Sequence, residues 1–419
     1  MTAREVAAAL GRARDAGRLL RERSAESVLE ALADVLDAWS APGSAWQKEL
    51  IDALPAAAGF SRETVREGLL RGLAPLTGAA LRDLVRAELG ASERARASGF
   101  DATALVLAGA IPMPTLLAIV APLALRSAVV VKSSVHDPVT AARVARSLAE
   151  RDPLLGACVE RVEFRGGDAA CAAALCAADC VVASGSDATI AALAARVAPP
   201  RRFVGYGHRS SLALLGPEAT RGEALARAAQ GLALDVALWD QLGCLSPVSV
   251  HAIDSDPNAA DRVANALAEA LERAEARWPR GRIEIEAAAA VARERAEAEM
   301  RAAAAPQALR VLASAGTAWT VVREADSAAR PAPRHRFVRV HPAADVEAGL
   351  GALRPDAAHL AGVALAGFGA ATGALAGALV DLGASRICAP GSLQAPPLAW
   401  HRDNQGVLLP LARFGDVEV

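Results

Sequence analysis

Aromatic side chains are scarce in this 419-residue chain: seven Phe, one Tyr and six Trp, 3% of the residues. Core bulk must therefore come from aliphatics and alanine, and each of Trp39, Trp46, Trp239, Trp278, Trp319 and Trp400 is a candidate for a defined packing role. An excess of charge of either sign is also lacking. Lys+Arg 45 against Asp+Glu 47 leaves a net charge of -2, which excludes the broad basic surface that nucleic acid or an anionic membrane demands. Six cysteines are present, but without a CxxC pair or regular spacing, which excludes a disulfide framework and a zinc cluster and reads as reduced thiols. The seven histidines show no metal-ligand spacing, so no metal is expected. The segment Met1-Thr-Ala-Arg-Glu-Val lacks the apolar core and cleavage site of a secretory leader, and a cytoplasmic location is expected.

Two long apolar runs need assignment. Leu105 to Leu125 carries no charge and is long enough to cross a bilayer, but Pro112, Pro114 and Pro122 interrupt it. Its start, Leu105-Val-Leu-Ala-Gly109, predicts a buried strand ending at a glycine turn. Leu360 to Val380 holds Gly362, Gly367, Gly369, Gly373 and Gly377 and predicts a close-packed buried helix. No membrane span is expected.

Up to about Leu89 apolar residues recur three and four apart, as in Ala25–Leu36, which predicts a charged, amphipathic helical layer. From Thr103 the pattern changes. Strands are predicted at Leu105–Leu107, Ala128–Lys132, Val159–Phe164, Cys180–Ala183 and Arg202–Gly205, with helices between them. Further strands follow at Val248–Ile253, Arg310–Ala313, Trp319–Arg323 and Arg336–Val340, with helices over Pro257–Arg277 and Glu284–Ala303 and an exposed loop at Ala328–His335. Strands alternating with helices on this spacing predict parallel, doubly wound sheets with a ligand crevice at the carboxyl ends of the strands.

Cys244 stands apart from the other cysteines. It lies in Gln241-Leu-Gly-Cys244-Leu-Ser246-Pro247, among small and turn-forming residues that leave a thiol accessible. Cys158, Cys171, Cys176, Cys180 and Cys388 sit mostly among Ala, Leu, Ile and Val, where cysteine is an inert small hydrophobe. An accessible thiolate is a nucleophile toward carbonyl carbon.

The G-x-G-x-x-G dinucleotide fingerprint is absent, but three other features mark the predicted strand ends. Gly109-Ala110-Ile111-Pro112-Met113-Pro114 closes the first strand, and Lys132-Ser133-Ser134 ends the second. Gly185-Ser186-Asp187 follows the fourth and opens a helix, whose bare amides and positive end favour phosphate. Each alone is an ordinary turn, a solvated lysine or a helix cap. Three on the ends of one sheet point to a ligand with ribose and phosphate groups.

In this order, followed by Tyr206-Gly-His208-Arg209-Ser, Gly243-Cys244-Leu-Ser246-Pro247 and the late Pro390-Gly391 and Trp400-His401-Arg402-Asp403, the chain resembles the aldehyde dehydrogenase superfamily, and within it the LuxC-type acyl-CoA reductases. The resemblance runs from about Val106 to the carboxyl terminus. It implies an α/β fold of two doubly wound lobes with an amino-terminal helical layer: 1–95 helical, 96–238 an NADP-binding lobe, 239–388 a catalytic lobe carrying the cysteine, and 389–419 a segment closing the lobe interface. It further implies reduction of a fatty acyl-CoA or acyl-carrier thioester to an aldehyde through an acyl-enzyme on Cys244. NADPH would be held by Lys132, Ser133, Gly185, Ser186, Ile111 and Pro112.

Two departures from the superfamily pattern stand out. Gly205 takes the place of the glutamate that activates water in the thioester-hydrolysing enzymes, which favours a reductase. Ala110 stands where an asparagine often holds the oxyanion, which leaves the backbone N–H of Cys244 as the donor. A semialdehyde dehydrogenase, an acyl-phosphate reductase and a non-catalytic scaffold member remain the alternatives. Whether the chain acts as a homo-oligomer or beside an acyl-transferring partner enzyme stays open at this stage, as does the role of His401 and Asp403: a relay, or holding the tail.

Overall fold

The computed structural model describes residues 1–90 and 95–416. The chain forms two compact units: Met1–Ala58, Leu69–His208 and Pro397–Val419 make the first, Gly59–Gly68 and Arg209–Pro396 the second. Five helices lead: α1 (Ala3–Glu22), α2 (Ala25–Ser40), α3 (Ala45–Ala58), α4 (Arg62–Leu73) and α5 (Gly78–Leu89). Thr2 and Glu5 form a capping box at the start of α1, which buries Val6, Ala9, Leu10, Ala13, Gly17 and Leu20 on one face.

The first unit then continues through β1 (Ala95–Ser98), β2 (Ala102–Val106), α6 (Pro112–Ala124), β3 (Ala128–Lys132), α7 (Thr140–Arg151), α8 (Pro153–Ala157), β4 (Val159–Val162), α9 (Ala169–Leu175), β5 (Cys180–Ser184), α10 (Asp187–Ala194) and β6 (Arg202–Tyr206). Its main sheet has the order β4-β3-β2-β5-β6, with every pairing parallel. The Ala/Val/Leu runs of β2 and β3 fit this place, because a parallel sheet is covered on both faces and its strands read as continuous apolar stretches. Helix α1 covers β3 and β4, and a Cβ at Gly17 would come within 2.7 Å of the Asp101 carbonyl, so the helix lies as close as a bare backbone permits.

The second unit is built on β7 (Ser210–Leu215), α11 (Gly222–Ala237), β8 (Pro247–Ile253), α12 (Ala259–Arg277), α13 (Ile285–Ala304), β9 (Arg310–Ala313), β10 (Thr320–Arg323), β11 (Phe337–Ala343), α14 (Val346–Leu353), β12 (Leu360–Ala366), α15 (Thr372–Asp381) and β13 (Arg386–Cys388). Its seven-stranded sheet has the order β13-β12-β7-β8-β11-β10-β9, and only β9 runs antiparallel to its neighbour. The final strand, β14 (Arg413–Asp416), returns to the first unit and pairs with β1.

One expectation is corrected. Leu360 to Val380 is not one buried helix but strand β12, a turn and helix α15. A short apolar run carries no period that separates a buried strand from a buried helix. The break comes at Gly367 and Gly369, both left-handed at φ 82° and 48°, and at Gly367 the backbone passes too close to Ala219 and Gly216 for a side chain. The segment after Arg209, to which the sequence assigned no strand, opens strand β7, which lies between β8 and β12. By contact, β7 and α11 lie in the second unit, which begins at Arg209, and residues from Pro397 onward lie in the first. The proline-punctuated run Leu105 to Leu125 is the end of β2, a turn and α6. Among the described residues, no helix is long and apolar enough to cross a membrane.

Candidate active site

In the first unit, register places the strand ends on one edge. Val106 stands beside Lys132 and Ala183, and Ser184 beside Tyr206. The chain winds outward from β2 through β3 to β4, then resumes at β5 on the other side, so the topological switch lies between β2 and β5. Ligands of doubly wound sheets bind at that point, outside the carboxyl ends. The sequence-predicted cofactor residues lie at the carboxyl ends of β2 and β5, which flank that point, and of the neighbouring β3. Gly109 turns left-handed at φ 86° after β2, and Ile111 and Pro112 open α6, with proline at a position where no N–H is required. Lys132, one of only two lysines in the chain, ends β3 half-buried, with Nζ 5.5 Å from the Phe164 ring centre. Burial pushes its pKa down. Ser133 follows it, also half-buried. The Gly185 N–H donates to the Tyr206 carbonyl at 3.1 Å, and the Ser186 hydroxyl caps α10 by accepting from the Thr189 N–H at 3.3 Å.

The arrangement fits a dinucleotide. The amino end of α10 and a polar lysine-serine strand end share the crevice edge, and a cleft of about 570 Å³ lined by Met1, Phe164, Arg165, Gly167 and Asp168 opens just beyond β4. Gly205 is closed to any side chain, since a Cβ would come within 2.7 Å of Ile190 Cγ2 and 2.9 Å of Phe203 Cε1. Sequence reading did not identify the Arg402–Tyr206 contact, with the guanidinium 4.4 Å from the ring centre. Burial raises the Tyr206 pKa, with Arg402 opposing and Asp403 adding to the effect. The tail that carries Arg402 is fastened by Glu88, whose carboxylate accepts from the N–H groups of Val407, Leu408 and Leu409 at 2.7 to 2.9 Å.

In the second unit, Cys244 is exposed on the turn that leads into β8. The turn is closed by the Ser246 N–H donating to the Gly243 carbonyl at 3.0 Å. Beneath it the buried Ser211 hydroxyl donates to the Cys244 carbonyl at 2.7 Å and accepts from the Gly362 N–H at 2.9 Å, tying the turn to β7 and β12. Just upstream, Trp239, Asp240 and Gln241 are all left-handed, at φ 55°, 49° and 63°. Arg334, His335 and Arg336 repeat this at 65°, 56° and 66°. Such conformations cost about 1–2 kcal/mol per non-glycine residue and persist only where surroundings over-determine them.

Here the two triplets hold each other. Arg336 Nη2 donates to Asp240 Oδ1 at 2.7 Å and to the Ala237 carbonyl at 3.1 Å, while Nη1 meets Glu275 at 2.6 Å. The Gln241 amide donates to the Pro247 and Phe337 carbonyls at 2.8 and 3.0 Å and accepts from the Phe337 N–H at 2.9 Å. Trp239 is fully buried on Gly68, edge-on to Phe60 at 5.3 Å. Six strained residues and a web of buried polar bonds thus fix the entry to the thiol turn.

The other cysteines differ in chemistry as well as place. Burial pushes the Cys158 and Cys180 thiols up to about 12 and Cys388 to about 11, and raises Cys171 and Cys176. At pH 8 a thiol of pKa 11–12 is ionised to roughly one part in 10³–10⁴, and only the thiolate reacts. Iodoacetamide at pH 8 is therefore expected to alkylate Cys244 alone, read by mass spectrometry of tryptic peptides. Comparable labelling of a second cysteine would contradict this. Among the described residues no cluster of His, Cys, Asp and Glu could hold a metal ion.

Comparison with known proteins follows the same lines. A structure of aldehyde dehydrogenase from Bacillus cereus in complex with NAD+ superposes with a TM-score of 0.79 at 14% identity, covering 100% of this chain and 89% of that one. An indole-3-acetaldehyde dehydrogenase in complex with NAD+ gives 0.78 at 14% identity, with 100% and 89% covered. The glyceraldehyde-3-phosphate dehydrogenase GapN from Methanocaldococcus jannaschii complexed with NADP gives 0.74 at 10%, with 100% and 94% covered. The fold is that of the aldehyde dehydrogenases. No curated protein matches the chain. The family of acyl-CoA reductases named LuxC matches residues 20–414, nearly the whole chain, and to that family this protein belongs.

Proposed function

We propose that this acyl-CoA reductase converts an acyl thioester, fatty in character and carried on CoA or an acyl carrier, to an aldehyde with NADPH, through an acyl-enzyme on Cys244. The observation that carries the reading is the exposed thiol on a turn fixed by strained, hydrogen-bonded backbone, in a chain whose other thiols are pushed up by burial. The Cys244 thiolate attacks the thioester carbonyl, the carbon–sulfur bond to the carrier breaks, and the carrier thiol leaves with a proton. Ser211, holding the Cys244 carbonyl, keeps the turn from yielding as the tetrahedral centre forms. When bound, a nicotinamide cofactor would supply the hydride that takes the enzyme thioester to aldehyde, with the Cys244 sulfur leaving as thiolate. Gly205 carries no carboxylate to activate water, and a Cβ there would press on Ile190 and Phe203, which favours transfer to hydride over hydrolysis.

For the cofactor, Lys132 and Ser133 would meet the adenosine ribose, Gly185 and Ser186 the pyrophosphate, and Ile111 and Pro112 would wall the crevice. NADPH is favoured because Lys132 is followed by Ser133, Ser134 and Val135 and not by a carboxylate. The next carboxylate along the chain, Asp137, is buried and accepts from the Val139 and Thr140 N–H groups at 3.3 and 3.0 Å. A charge-assisted bond to the 2′-phosphate is worth about 1.5–3 kcal/mol, so kcat/KM with an acyl-CoA should favour NADPH over NADH by roughly 10- to 100-fold. Measured NADH preference would overturn that assignment. Turnover with acyl phosphate but not acyl-CoA would overturn the thioester.

A further inference from the structure

Asp235, on α11, is 0% exposed, an expensive place for a carboxyl group. Burial lifts it to about 7, against the pull of the Gly391, Gln394 and Leu393 N–H groups. Oδ2 accepts from the Gly391 N–H at 2.6 Å and Oδ1 from the Leu393 N–H at 3.1 Å. The loop it grips, residues 390–395, lies directly on the helix. At Gly231 a Cβ would stand 2.5 Å from the Pro390 carbonyl group, so only glycine lets the loop come this near. Gly391, left-handed at φ 89°, makes the bend. From the far side Arg386 Nη2 donates to the Ser392 carbonyl at 2.7 Å and the Ala395 carbonyl at 3.3 Å.

A loop needed only as cover could be held by apolar packing; this one also turns a polar side chain inward. Gln394, buried, donates from Nε2 to the Asp235 carbonyl at 3.2 Å and to Ser246 Oγ at 2.9 Å. Ser246 is the residue that closes the thiol turn. Direct contacts therefore run from Asp235 through the loop and Gln394 to the turn carrying Cys244.

We propose that Asp235 and Gln394 are positioning residues for Cys244: Asp235 sets the 390–395 loop, and Gln394 holds Ser246 and so the direction from which the sulfur meets an acyl carbonyl. This rests on Cys244 being the acylated nucleophile. The test compares two reactions of the same thiol in wild type, Gln394→Met, Asp235→Asn and Gly231→Ala. Acylation by an acyl-CoA without NADPH depends on direction, whereas alkylation by the small iodoacetamide reports only thiolate access. Gln394→Met keeps the length of the side chain and removes its donor.

Gln394→Met is expected to slow acylation about 10-fold or more, as misplacement at a reacting centre does, with alkylation within about two-fold and kcat affected more than KM. Asp235→Asn, which can accept only one of the two N–H groups, and Gly231→Ala should show the same split. Where either of those fails to fold, by thermal melting, Gln394→Met decides. Unchanged acylation, or equal loss of both rates, would overturn the proposal. Absence of acylation in wild type would instead defeat the nucleophile reading. The bulky disulfide DTNB then replaces acyl-CoA in the comparison, and a DTNB-to-iodoacetamide ratio unchanged in Gln394→Met would overturn the positioning role.

Discussion

The Cys244→Ser protein should oxidise NADPH with acyl-CoA at least roughly 10³-fold more slowly than wild type, because a serine hydroxyl without an adjacent base is a poor nucleophile and the covalent route is lost. The fold should not change. The side chain at 244 is exposed, and the turn is held through the Cys244 carbonyl and through Ser246. Cys171→Ser and Cys388→Ser are the controls. Burial holds both thiols up, which leaves them protonated and unreactive, so turnover should stay within about two-fold of wild type in each case, apart from any loss of folded protein. Steady-state rates normalised to folded protein decide the matter. Wild-type turnover in Cys244→Ser would remove the covalent mechanism.

The second large effect concerns the latch upstream of the thiol. Arg336→Met should destabilise the protein by about 3–5 kcal/mol, since it strands the buried Asp240 carboxylate without its counter-ion. Asp240 and Arg336 are 4% and 1% exposed, so solvent does little to screen their loss. For a unit of this size that corresponds to a fall of roughly 10 °C in the melting transition. The double variant Arg336→Met, Asp240→Leu removes both charges together and should recover much of the loss, because a buried ion pair is worth little more than well-packed apolar groups. Glu275, the other partner of Arg336, is partly exposed and can turn to water. Calorimetry on the two single variants and the double completes the cycle. A double variant as unstable as the sum of the singles would show that the pair does not act as one latch.

These effects mark where sequence reading succeeds and where it stops. The strand ends were legible because each carries its own local chemistry: Gly109 before Ile111-Pro112, Lys132 closing a run of valines, Gly185-Ser186 capping a helix. The exposure of Cys244 was legible because the small residues around it contrast with the alanine-rich surroundings of Cys171 and Cys176. The run 360–380 was not, since an uncharged stretch of Leu, Ala and Gly has no periodicity to tell strand from helix, and the decisive event is the close passage of Gly367 by Ala219. Strand β7 was hidden for a related reason: Arg209-Ser-Ser looks like a turn, and only pairing with β8 and β12 makes it a strand.

The latch was out of reach altogether. Asp240 and Arg336 are separated by 96 positions, and nothing local announces that two triplets of ordinary residues take left-handed conformations. Asp235 and Gln394 are likewise far apart in the chain, although a lone Asp inside Leu-Ala-Leu-Asp-Val-Ala on an otherwise apolar helix face was a signal that could have been followed. Tyr206, the only tyrosine, and Arg402 fall in motifs singled out for their neighbours rather than for themselves.

The most direct test of the central claim is the mass of the protein after brief incubation with an acyl-CoA in the absence of NADPH. The account predicts one added acyl group per chain, on the peptide that contains Cys244, discharged when NADPH is added and absent from Cys244→Ser. No adduct, an adduct on another residue, or one that persists after NADPH is added while NADPH is consumed at the full rate would contradict it.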